Sequence, residues 1–148
     1  MYEYSQSHLP VREQTKVVGH AVRAMYMYAA MADLAAEHGD AALKAACETL
    51  WADVIERRMY VTGGFGPSEH NEGFTADYDL PNDTAYCETC ASVAMVFWAA
   101  RMLNLDLDGQ YADLLEPSSP PASACRRCCR QVAMRPAACG ACSVGLFQ

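Results

Sequence analysis

Residues 1–116 are predicted to form an all-α fold. Three segments carry apolar residues at helical spacing, no segment alternates with the period of a strand, and single stop or cap residues separate the helices. The first helix is expected over residues 15–37, where Val18, Val22, Met25, Ala29, Ala32 and Ala36 make one apolar stripe. Its small residues let neighbouring helices approach closely. Gly39 is a stop signal, and Asp40 is the expected N-cap of a second helix ending near Met59. That helix carries Leu43, Cys47, Leu50 and Val54 on one face with Trp51 beside them, so Cys47 is expected to be a small buried hydrophobe. The short link implies an antiparallel hairpin.

Residues 60–83 have no helical period and contain Gly63, Gly64, Gly66, Pro67, Gly73 and Pro81, which makes a loop longer than most connections. Loops of this length tend to be functional. A third helix is expected to carry Val93, Val96, Phe97, Ala100, Leu103 and Leu107, and a short piece around residues 111–115 starts a fourth.

Composition narrows the function. The chain has 148 residues, of which 52% are hydrophobic and 20% charged, so it is neither low-complexity nor fibrous. A net charge of −7 argues against binding phosphate backbones, and hence against a nucleic-acid partner. No apolar run is long enough to span a membrane, and residues 1–4 show no export signal, so no membrane partner and a cytoplasmic location are expected. The eight cysteines are unevenly placed. Residues 117–148 hold Cys125, Cys128, Cys129, Cys139 and Cys142, together with four arginines, four prolines and no acidic residue. Three explanations stand for this tail: a metal knuckle, a disulfide-stapled appendix, or a stretch read out of frame. In each case it is expected to stay outside the packed core.

Chemistry is expected in the long loop. Glu69, Glu72, Asp77 and Asp79 stand among His70, Phe74 and Tyr78, and carboxylates with aromatics are the usual equipment of a carbohydrate site. A solvated acidic loop is the alternative reading. Asp77, Asp79 and Glu88 imitate an EF-hand, but Pro81 and Asn82 occupy positions that need an oxygen ligand and a glycine. Cys87-Glu-Thr-Cys90 is compatible with a redox pair, half a zinc site or two buried thiols. Glu88 and Cys90 would point about 200° apart in a regular helix, so they can share a metal only if the third helix begins near Thr89. His20 interrupts the stripe of the first helix, and a satisfied core histidine is its default role.

Taken together, His8-Leu-Pro-Val-Arg-Glu-Gln14, Val18-Gly-His20-Ala-Val-Arg-Ala-Met-Tyr26, Met59-Tyr-Val-Thr-Gly-Gly-Phe-Gly66, Phe74-Thr-Ala-Asp-Tyr-Asp-Leu-Pro-Asn-Asp-Thr-Ala-Tyr86 and Glu88-Thr-Cys90-Ala-Ser92 closely resemble the β-L-arabinofuranosidases of glycoside hydrolase family 127. The resemblance covers about residues 2–116. It implies a middle portion of an (α/α)6-barrel catalytic domain built of antiparallel helical hairpins, acting on a small carbohydrate. The family's general acid/base falls on Glu72, two of its zinc ligands on Glu88 and Cys90, and its pocket histidine on His20. Its remaining zinc ligands come from an adjacent cysteine pair further downstream, one of which is the nucleophile of a retaining reaction through a thioglycosyl intermediate. Cys128-Cys129 arrives too early to be that pair.

The expectation is therefore a glycosidase fragment, inactive by itself, whose uncovered apolar side favours self-association. The rival is a small non-catalytic zinc-binding interaction module using Cys87, Cys90, Cys125 and Cys128. Nucleotide sequence past codon 116 distinguishes the origins of the tail. Another frame should give a helical continuation with a later Cys-Cys pair, and its absence from every frame rules out a frameshift.

Overall fold

A computed structural model describes residues 2–114, so every expectation for residues 117–148 lies outside the described residues. Four α-helices follow a 3-10 turn at Val11–Glu13: α1 (Ala21–His38), α2 (Ala41–Arg57), α3 (Thr89–Leu105) and α4 (Gly109–Asp113). Among the described residues there are no strands, only three isolated antiparallel bridges in and around the long loop.

The link between α1 and α2 forms as the sequence requires. Gly39 closes α1 in the left-handed conformation, and its N–H bonds the carbonyl of Ala35. The Asp40 side chain then caps α2 by accepting from the Leu43 N–H at 3.0 Å. The start of α1 departs from expectation. Its helix begins at Ala21 because Gly19 sits at φ 72°, so Val17 and Val18 belong to an extended lead-in, with Val17 fully buried.

α1 packs chiefly against α3 and to a lesser extent against α2. Alanines make the close approach possible, with Ala24 and Ala32 of α1 and Ala94 and Ala99 of α3 fully buried. A chain of aromatic rings joins all four helices. Tyr28 lies 5.1 Å from Trp98, Trp98 lies 5.0 Å from Trp51, and Trp51 lies 4.8 Å from Tyr111. Tilted and edge-on contacts of this kind add about 0.5–1.5 kcal/mol each to the burial of the rings. Cys47 is completely buried, and burial pushes its thiol up to about 12.

The buried face of α3 is not the one its spacing suggests. Ala91, Ala94, Met95, Trp98 and Met102 face inward, whereas Val93 and Phe97 remain 37% and 44% exposed. The helix is apolar on nearly every side, so periodicity does not choose a face. The fit of Trp98 between Tyr28 and Trp51 does. With Tyr26 and Leu34 of α1, the outer face of α3 leaves an apolar side open.

One buried ion cluster ties the helices to the loop. Arg58 follows α2 and is 6% exposed. Its Nε donates to Asp53 Oδ2 at 2.8 Å, Nη1 to the Thr75 carbonyl at 2.7 Å and Nη2 to Asp77 Oδ1 at 2.6 Å. Asp53 Oδ2 also accepts the Val17 N–H at 2.8 Å. Removing one partner of such a buried cluster leaves uncompensated charge. Arg58→Met is expected to cost about 3–5 kcal/mol in urea unfolding. Lys44→Met removes exposed pairs with Glu48 and Asp106, and should cost below about 1 kcal/mol.

Candidate functional site

The site is assembled where three stretches of backbone cross. The His20 N–H donates to the Tyr4 carbonyl at 3.1 Å, the Phe74 N–H to Gly19 at 2.9 Å and the Ala21 N–H to Glu72 at 2.9 Å. The loop carbonyl of Glu72 thus caps the start of α1, where the His20 side chain makes no capping bond. The crossing demands two glycines. A Cβ on Gly19 would strike the backbone of Glu3 and Tyr4, and one on Gly73 would strike the carbonyl of Gly19.

This backbone sets two side chains face to face, with His20 Nε2 lying 3.1 Å from Glu72 Oε2. The histidine side chain is 13% exposed and the carboxylate 46%, so the acid reaches solvent while the imidazole is enclosed. Glu72 adopts φ 51°, a left-handed conformation that costs of order 1 kcal/mol and persists where surroundings over-determine it. The Tyr4 ring meets His20 edge-on at 5.8 Å, and Arg23 sits 5.2 Å over Tyr4. Nε2 is the ring nitrogen turned toward the carboxylate. Nδ1 is buried without a hydrogen-bond partner.

Glu88 and Cys90 stand at the start of α3, which begins at Thr89 as their sharing a metal requires. Glu88 is the N-cap, off the helix proper, and Cys90 is exposed. Partial burial of the sulfur, then the adjacent Glu88 carboxylate, push the Cys90 thiol up to about 11. A carboxylate oxygen and a sulfur in such proximity suit zinc as a partial donor set. Tyr86 Oη lies 3.4 Å from Glu88 Oε1. Among the described residues no group of three or more His, Cys, Asp or Glu side chains forms a metal-sized cluster.

The two pairs hang from one segment. Gly66 and Pro67 accept the N–H groups of Cys87 and Tyr86, while Ser68 pairs with Gly73 beside Glu72. Cys87 is half-buried, with its sulfur against Gly64, and burial pushes it up to about 11. Cys125 and Cys128, the other half of the module reading, lie outside the described residues.

The remaining loop acids separate. Asp77 is the counter-ion of Arg58 and lies 3.7 Å from Lys16, whereas Glu69 and Asp79 are exposed. A cavity of about 830 Å3 lined by Tyr4, Lys16, Arg58, Asn71, Phe74 and Asp77 opens beside the crossing, but neither His20 nor Glu72 lines it. Sequence patterns passed over Arg58 and Gln6. Arg58 reads as the basic end of a helix and Gln6 as an ordinary polar residue before the His8–Gln14 motif.

Residues 1–118 match the sequence profile of the family described as β-L-arabinofuranosidase, GH127 catalytic domain. The chain belongs to this family. It is 49% identical over 113 residues to the non-reducing end β-L-arabinofuranosidase of Bifidobacterium longum subsp. longum, which covers 76% of this chain and 17% of the relative. A crystal structure of a GH127 β-L-arabinofuranosidase from Geobacillus stearothermophilus T6 superposes with a TM-score of 0.79 and 62% identity, covering 80% of this chain and 19% of that one. A second GH127 β-arabinofuranosidase structure gives 0.77 and 45%, with 80% and 19% covered. The chain thus spans under a fifth of the length of these relatives, and its helices form part of an α/α barrel.

The glycine crossing is open to a direct check. Gly73→Ala should cost about 3 kcal/mol or more in urea unfolding, because the clash is with backbone. Gly109→Ala, with nothing within 4 Å, should be neutral or slightly stabilising.

Proposed function

We propose that this chain is the acid/base-bearing portion of a retaining glycoside hydrolase that removes terminal β-L-arabinofuranosyl or similar residues. The observation that carries the reading is the 3.1 Å pairing of Glu72 with His20 at a strained, half-exposed loop position. The names of the relatives support the sugar class.

Glu72 acts first as the acid, giving its proton to the leaving glycosidic oxygen, and then as the base that takes a proton from the incoming water. Its half-exposed carboxyl is accessible to both. His20 is the enclosed partner that orients that carboxyl and faces the sugar. Glu88 and Cys90 are the residues that would hold zinc, with further ligands coming from beyond the described segment. When bound, zinc would keep a thiolate ligand deprotonated and moderate its basicity. The open apolar side formed by Tyr26, Val93 and Phe97 is the surface on which the other helices of an (α/α)6 barrel pack, or on which copies of the isolated chain associate.

Two measurements test the proposal. The 148-residue chain alone should release no aglycone from a chromogenic β-L-arabinofuranoside. A chimera carrying residues 2–114 in place of the aligned segment of the Bifidobacterium longum enzyme should hydrolyse it, and Glu72→Gln in the chimera should lower kcat by at least about 100-fold. Full activity after that substitution would remove Glu72 from the role. Cys90→Ser should also lower the zinc content of the purified chimera.

A further inference from the structure

We infer that Gln6 is a positioning residue for His20. Gln6 is 4% exposed and held at φ 57°, a conformation that glutamine rarely adopts. Its Nε2 donates to three carbonyls, those of Tyr4 at 3.0 Å, Val18 at 3.0 Å and His20 at 3.3 Å. An amide nitrogen has two hydrogens, so one of them is shared. Gln14 holds the clamp from behind, since its own Nε2 donates to the carbonyls of Gln6 at 2.8 Å and Leu9 at 3.0 Å.

The three consecutive carbonyls of Val18, Gly19 and His20 are thereby all engaged. Gln6 takes those of Val18 and His20, and Phe74 from the Glu72 loop takes that of Gly19. These two grips act with the His20 N–H bond to Tyr4 and the Ala21 N–H bond to Glu72 in setting the His20 backbone relative to Glu72. Only a donor of this length serves. Glutamate would press a carboxylate against three carbonyl oxygens, and asparagine is one methylene short. The inference rests on His20 and Glu72 being the sugar-facing pair.

The test uses the full 148-residue chain and the imidazole nitrogen resonances of its histidines at one fixed pH. Glu72→Gln first marks how far the His20 Nε2 signal moves when its carboxylate partner is lost. Gln6→Asn tolerates the left-handed backbone and should move that signal toward the same position. His38, at the far end of α1, should stay put, and the double variant should move His20 no further than Glu72→Gln alone. An unmoved His20 signal in Gln6→Asn, or an equal movement of His38, overturns the inference. So does a His20 signal indifferent to Glu72→Gln. If Gln6→Asn loses cooperative melting, Gln6→Met keeps the length without the donors. Unfolding of both variants assigns Gln6 to folding alone and overturns the inference. The chimera assay separates the two levels, because a hydrolytically silent chimera with a Gln6-dependent His20 signal fails the functional reading and not the clamp.

Discussion

The rest of this structure depends on the Arg58 guanidinium. It is buried at the end of α2 and binds Asp53 within that helix, and the Thr75 carbonyl and Asp77 in the long loop. Through Asp53 it also reaches the Val17 N–H, in the lead-in to α1. Burying charge is costly, and the fork of a guanidinium offsets that cost only when its donors find acceptors in fixed directions. The cluster therefore selects one placement of loop and lead-in over others of similar apolar burial. Without it, the loop has few apolar anchors beyond Phe65 and Phe74, which stack with ring centroids 5.9 Å apart.

Given that anchor, the site follows from close backbone contact more than from side-chain packing. Gly19 and Gly73 let the three stretches touch, and the Glu72 carbonyl caps α1 in place of a side chain. The strain at Glu72 is held by bonds on either side of it. A carboxyl placed in this way is pre-oriented, and the backbone of its partner His20 cannot shift without breaking the bonds at the start of α1.

The start of α3 follows the same logic with a different result. Glu88 sits outside the helix and Cys90 within its first turn, so two side chains that a continuous helix would turn apart approach each other. Both this pair and the Glu72–His20 pair hang from residues 66–68, which couples their placement. Elsewhere on the helices Tyr26 and Phe97 meet at 6.1 Å on an open face, while Trp98 is sealed among the inner rings.

The sequence by itself determined the helical class, the Gly39–Asp40 junction, the burial of Cys47 and the family. These depend on local signals, such as a cap side chain, a left-handed stop or a string of unusual residues in order, and each can be read within a few positions. Tertiary structure decided where α1 begins, which face of α3 is buried, and how the loop acids divide. The 3.6-residue period could not orient α3, because a helix apolar all round carries no directional signal. Nor could composition tell Asp77 from Glu72. Both are loop carboxylates of the same charge, and only the approach of Arg58 to one and His20 to the other, across 19 and 52 residues of sequence, gives them different work.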